Sequence, residues 1–169
     1  METPRTILAS AIGLALVAVI SSVYVSNLHS ACLRCLCEAA SGCNMTLYCR
    51  SGYCGPFYIS RVYWVSAGRP VTKYDDPERD AAYNDCANDY NCAKTIVQNY
   101  MAIYGKDCNG DGTTDCDDYA MIHYNGGQRC ETSIEGTNFN RRYMKCRPPL
   151  SQEETLVRTA SAQRRGSTS

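Results

Sequence analysis

Residues 32–64 read CLRCLCEAASGCNMTLYCRSGYCGPFYISRVYW and hold six of the chain's twelve cysteines, its only tryptophan and a Gly-Pro-aromatic turn, Gly55-Pro56-Phe57. All twelve cysteines lie beyond residue 30: Cys32, Cys35, Cys37, Cys43, Cys49, Cys54, Cys86, Cys92, Cys108, Cys116, Cys130 and Cys146. An even number in a short chain points to an oxidising compartment and a framework of up to six disulfides. A zinc site opening at Cys32-x-x-Cys35 is the competing reading, but it leaves most cysteines unused, and neither His29 nor His123 is placed to complete it. The stretch contains a single carboxylate, Glu38, a scarcity that bears on any acid–base chemistry.

Outward from this stretch, 169 residues suffice for one domain once the two ends are set aside. Seventeen basic and seventeen acidic side chains cancel, which argues against nucleic acid and anionic membrane surfaces as partners; a monomer is expected. At the N-terminus Arg5 precedes an apolar run, Ile7 to Ile20, followed by small and polar residues, the pattern of a secretory signal over 1–30. Cleavage is expected near Ser30, giving a secreted protein free of the membrane, with an uncleaved anchor as the alternative. Asn44-Met45-Thr46 is an acceptor sequon for surface glycan.

Leu33, Leu36 and Ala40 recur at helical spacing and stop at Ser41-Gly42, so a short helix is expected over 32–40. Residues 43–54, rich in Tyr, Thr and Cys and containing Ser51-Gly52, read as a two-stranded ribbon. Asp76-Pro77-Glu78 is a helix start, with the helix running to about Ala87. A second helix begins near Asp89, carries Ile96, Val97, Tyr100, Met101 and Tyr104 on its core face, and ends at Gly105. Residues 118–123 form another, closed by Asn125-Gly126-Gly127. The segment 147–169 lacks an apolar period and reads as a disordered, solvated tail.

The succession CLRCLCEAASGC, CGPFYI, YW, NDYNCAKTIVQNYM, DYAMIH and NGG resembles the invertebrate-type, or destabilase, lysozymes, most closely insect members, over about residues 31–146. The resemblance implies an α+β, mostly helical, disulfide-rich lysozyme-like domain with a short β ribbon. It also implies a cleft for bacterial peptidoglycan or a related amino-sugar glycan, and an activity that needs no catalytic cofactor. Two further cysteines usual in that family are replaced by Ala67 and Ile96. Their joint loss keeps the count even, and the two positions are expected to face each other.

Glycoside hydrolysis of this class uses a protonated carboxylic acid and a second carboxylate across the scissile bond. The resemblance puts the acid immediately before Ser41-Gly42, where this chain has Ala40. It puts the second carboxylate between the next two cysteines, where Cys49-Arg50-Ser51-Gly52-Tyr53-Cys54 is shortened and, around Ser51, has none. Glu38 is a weak substitute, since two residues along a helix turn a side chain by about 200°. Asp75 or Asp76 could serve only by folding over the cleft. An isopeptidase, as some relatives are described, would need Ser41, Ser60 or Ser66 with Lys73 or His123. The expectation is therefore a glycan-binding or weakly active member of the family in defence or digestion, the alternative being an active lysozyme or isopeptidase that uses other residues.

Sugar faces could stack on Tyr48, Tyr53, Tyr58 and Trp64, with Phe57 and Tyr63 as further candidates, although packing in the core is the competing reading for several of them. Finally, residues 107–118 follow calcium-loop order: Asp107, Asn109, Asp111, Thr113, Asp115 and Asp118 fall at positions 1, 3, 5, 7, 9 and 12 with Gly112 at position 6. A structural calcium is expected there, against the simpler reading of an acidic turn whose Asp117 caps the next helix.

Overall fold

The structure, a computed structural model, describes residues 25–166, so most of the segment read as a signal lies outside the described residues. Residues next to that segment pack on the domain. Leu28 is buried, Tyr119 donates to the Ser26 carbonyl (2.5 Å), and Asn27 donates to that of Thr114 (2.9 Å). His29 caps the first helix by accepting from the Cys32 N–H (3.2 Å). Residues 25–30 thus contact the domain expected over 31–146.

Helix α1, Ser30–Ser41, is the central element; Cys32, Cys35, Leu36, Cys37 and Ala39 are fully buried. It stops at Gly42, whose left-handed φ of 72° lets its N–H and that of Cys43 turn back to the carbonyls of Glu38 (2.9 Å) and Cys37 (3.1 Å). Ser51 and Gly52 do turn the chain, in a single bridge between Arg50 and Tyr53, but the ribbon lies further on than expected. It pairs β1, Tyr53–Cys54, with β2, Ile59–Ser60, in the register Tyr53↔Ser60 and Cys54↔Ile59. The reason is the turn Gly55-Pro56-Phe57-Tyr58, closed by Tyr58 N–H to the Gly55 carbonyl (3.0 Å). Gly55 has φ +68°, and a Cβ there would sit 1.7 Å from the Ala87 carbonyl oxygen, so neither the conformation nor the contact admits a larger residue.

Ser60 then caps α2, Arg61–Ser66. Asp76 accepts from the Glu78 N–H (2.9 Å) and so organises a turn, but the helix proper, α3, runs Ala82–Asn88 and starts later than expected. The intervening Arg79 is drawn out to Asp75 and Asp85. Asp89 caps α4, Tyr90–Tyr104, whose Ile96, Val97, Tyr100 and Met101 enter the core as the periodicity requires. Helix α5, Cys116–Asn125, is followed by α6, Asn138–Cys146, which the sequence reading left unassigned. Thr137 caps α6, and Phe139 and Tyr143, one turn apart, bury its inner edge.

All twelve cysteines are paired. The bridges are Cys32–Cys116, Cys35–Cys146, Cys37–Cys43, Cys49–Cys54, Cys86–Cys92 and Cys108–Cys130. The first two span 84 and 111 residues and fasten α1 to α5 and α6. In the chain-entropy account loops of that length are worth about 4 to 5 kcal/mol each, against about 2 for the shortest ones. Ala67 and Ile96 are both buried, and Asn99, one turn beyond Ile96, donates to the Ala67 carbonyl (3.2 Å).

The expectation of a disordered tail is corrected. After Pro148-Pro149 the chain forms α7, Gln152–Gly166, anchored by Arg158. This guanidinium meets Asp111 (3.0 Å), Asp115 and Asp117 (3.1 Å), and Asp115 is only 1 % exposed. An apolar period is absent because charge, not apolar surface, docks this helix.

Replacing Arg158 by Ala strands a buried carboxylate, and a loss of about 2 to 4 kcal/mol is expected, read as a lower Tm by calorimetry. With Arg158 in place, millimolar calcium is expected to leave the Tm unchanged. The double variant Ala67→Cys/Ile96→Cys is expected to form a seventh bridge, with no free thiol by mass spectrometry; two free thiols would show that the positions do not face each other.

Candidate functional site: an aromatic and arginine-lined cleft

A concavity of about 740 Å³ lies between the end of α1, the ribbon turn, α5 and the start of α6. Ala40 opens onto it from α1. The helix end is fixed to the ribbon, because the Ser41 hydroxyl donates to the Pro56 carbonyl (2.6 Å). Tyr53 of β1 and Tyr58 of the ribbon turn stack at 5.1 Å between centroids and 8° between planes. Tyr58 holds a left-handed φ of 55°, unusual for a bulky residue, and this conformation belongs to the turn that carries its ring beside Tyr53. Phe57, His123 and Phe139 line the cleft more deeply; Tyr124, Asn138, Arg141 and Arg142 form the opposite wall.

No Asp or Glu is among the lining residues. Glu38 belongs to an adjoining groove of about 410 Å³, beyond Arg142, with Arg34 and Lys145. Its direction along α1 is the one that a two-residue offset dictates. Asp75 is held by Arg79 in two hydrogen bonds (2.7 and 2.6 Å), which keep its carboxyl below the usual range, and it does not reach the cleft. Neither does Asp76 or Ser51.

Of the candidate ring platforms, Tyr53 and Tyr58 are in place. Trp64 is not: it is 1 % exposed, packs against Tyr83, and donates its indole N–H to the Pro70 carbonyl (2.7 Å). The helix over 61–66 turns it inward. Tyr48 is exposed but outside the cleft lining. Phe57 and Tyr63 are buried.

His123 has both ring nitrogens engaged. The Phe57 carbonyl can only accept, so Nε2 carries the proton toward it (2.9 Å), and Nδ1 accepts from the Tyr63 hydroxyl (3.2 Å). Burial lowers its pKa to about 4. Among the described residues no hydrogen bond joins Ser41, Ser60 or Ser66 to His123 or Lys73. Ser60 caps α2 and the Lys73 ammonium lies over the Tyr74 ring.

In the acidic loop, as elsewhere among the described residues, no cluster of three or more His, Cys, Asp or Glu is arranged to hold a metal ion. Asp118 accepts from the N–H groups of Cys108 (2.8 Å), Asn109 (3.1 Å) and Asp115 (2.9 Å). Burial nevertheless raises its pKa to about 6. Asp107 accepts from Gly110, Asp111 and Gly112, and Asn109 from Asp111. Thr113 donates its backbone N–H and its hydroxyl to Asp111 (3.0 and 2.7 Å). Asp115, rather than Asp117, caps α5. Asp117 instead accepts from Tyr143 and pairs with Arg147.

The residues that sequence reasoning missed lie on α6 and at the end of α5. The available signal was Thr137 as a cap ahead of Phe139 and Tyr143 at helical spacing, which leaves Asn138, Arg141 and Arg142 on other faces.

Comparison with known proteins agrees with this architecture. The family model described as Destabilase matches residues 29–146. Invertebrate-type lysozyme 3 of Caenorhabditis elegans is 36 % identical over 117 residues, covering 66 % of this chain and 82 % of that protein. A lysozyme of Magallana gigas is 38 % identical over 111 residues, covering 62 % and 69 %. The crystal structure of Meretrix lusoria lysozyme in complex with Aeromonas hydrophila PliI superposes with a TM-score of 0.54 at 27 % identity, covering 72 % of this chain and 93 % of that one. The chain therefore belongs to the Destabilase family of invertebrate-type lysozymes.

Proposed function

We propose that this protein is a secreted member of its family that binds peptidoglycan or a related amino-sugar glycan in the cleft and hydrolyses it weakly or not at all. The observation that carries the reading is the cleft's lining: the stacked Tyr53 and Tyr58 offer a sugar platform, while Ala40 presents a methyl group where relatives are expected to place a proton donor. General acid catalysis contributes about 10² to 10⁴ in rate, and the second carboxylate's share would be lost with it. Secretion is supported by six disulfides, by the apolar N-terminal run and by the exposed sequon. In that sequon Asn44 accepts from the N–H and hydroxyl of Thr46 (2.9 and 2.8 Å) at the surface. Among the described residues no helix is long and apolar enough to cross a membrane. A structural calcium in the acidic loop would have to compete with Arg158, so the loop's role is proposed to be the docking of α7. Serine-based isopeptide chemistry lacks comparable support, since His123 is committed to Tyr63 and Phe57.

The purified protein is expected to co-sediment with insoluble peptidoglycan without clearing a bacterial cell-wall suspension; clearing at a rate near that of an active relative would overturn the reading. Tyr53→Ala is expected to weaken co-sedimentation by about tenfold, a loss of about 1.4 kcal/mol. For His123, NMR is expected to show the neutral Nε2–H tautomer and no titration above about pH 5, because the folded pKa lies below the ordinary 6.5. Titration near 6.5 would return it to the list of available bases.

A further inference from the structure

The cleft carries charge that the proposed function does not use. Arg141 and Arg142 are consecutive on α6, both are exposed, and both line the cleft. Their fixed bonds go to neutral acceptors. Arg141 donates to the Gly136 carbonyl (2.7 Å) and to Asn138 Oδ1; Arg142 donates to the carbonyls of Ala39 (2.8 Å) and Ala40 (2.9 Å). Among the described residues no ion pair involves either one, whereas Arg69, Arg79, Arg147 and Arg158 are each held against carboxylates. With no Asp or Glu in the lining, the two positive charges stand uncompensated in a concave site, where a low-dielectric wall strengthens their field. The charge continues: Arg142 also lines the adjoining groove, together with Arg34 and Lys145 and a lone acid, Glu38.

From these observations we infer that the cleft selects anionic glycans, in which sugar rings lie on Tyr53 and Tyr58 while ring carboxylate or sulfate groups are bound by Arg141 and Arg142. This inference rests on the glycan-binding reading and adds the sign of the ligand's charge to it. A guanidinium offers planar paired donors that match a carboxylate or a sulfate, and the donors left over after the backbone bonds are oriented in advance, which reduces the ordering cost on binding. A neutral amino sugar would leave both cations partly desolvated with no counter-charge. A strand long enough to pass Arg142 would meet Arg34 and Lys145 next.

The test is calorimetric titration of the whole secreted protein with three hexasaccharides: N-acetylglucosamine oligomer (neutral), hyaluronan (carboxylated) and heparin-derived (sulfated), at about 50 and about 200 mM salt. At least one anionic hexasaccharide is expected to bind about tenfold or more tightly than the neutral one at low salt, with the advantage shrinking at high salt. The carboxylated and sulfated arms separate the two sources of charge. Arg141→Gln is expected to bring anionic affinity to within about threefold of neutral, and Arg141→Lys to retain part of the preference. Arg142→Gln is read in parallel, with its Tm measured because this side chain also holds the end of α1. Equal affinities for neutral and anionic sugars overturn the charge inference and leave glycan binding standing. A preference that survives both substitutions overturns the assignment to these arginines. Binding of none of the three sugars overturns this inference, and the peptidoglycan co-sedimentation decides separately whether the glycan-binding reading falls with it.

Discussion

The structure depends on one buried helix being held from two sides. Cys32 and Cys35, one turn apart on α1, are bonded to Cys116 at the start of α5 and Cys146 at the end of α6. Because the two bridges leave the same helix at different angles, they fix its rotation as well as its position. That rotation decides what the last turn of α1 presents to the cleft. Ala39 faces the core, Ala40 faces the cavity, and Glu38 faces the neighbouring groove. The exposed carbonyls at this helix end, which would otherwise want water, are taken up by Gly42, Cys43 and the guanidinium of Arg142. The cleft wall and the helix cap are thus the same residue.

This arrangement inverts the electrostatics expected of a glycosidase. A site built for acid catalysis needs one carboxyl kept protonated and a second kept charged, and each needs an environment that separates their pKa values. Here the lining contributes two arginines, three tyrosines with polar tips, and a histidine held neutral by burial. No lining side chain is an acid of the required kind. The left-handed Tyr58 is a local cost that the ribbon turn bears, and the ring stack with Tyr53 is what the turn delivers.

The acidic loop shows a second use of charge. Asp118 gathers three backbone N–H groups and caps the loop from within, so its carboxylate organises residues 108–115. The oxygens of Asp111, Asp115 and Asp117 that remain are aimed at Arg158. A guanidinium supplied by the chain itself thus meets three carboxylates of the loop. The last helix is thereby attached to the domain by ion pairs near the Cys108–Cys130 and Cys32–Cys116 bridges.

Much of this was legible in the order of residues. Even cysteine content, helix caps at Asp89, glycine stops at Gly42 and Gly105, and the core stripe of α4 are local or compositional signals, and the motif succession identified the family. That alanine precedes Ser41-Gly42 and that no acid lies around Ser51 could also be read directly, as could the direction of Glu38. What tertiary structure decided were matters of long-range contact. The ribbon shifted to the Gly55–Tyr58 turn because Gly55 abuts Ala87, Trp64 turned inward because α2 is helical, and the tail became a helix because Arg158 found three aspartates 41 to 47 residues earlier. The arginines of the cleft were silent in sequence for the same reason. A charge becomes a binding determinant only when the fold removes its counter-ions from reach, and that depends on which surfaces the disulfides bring together.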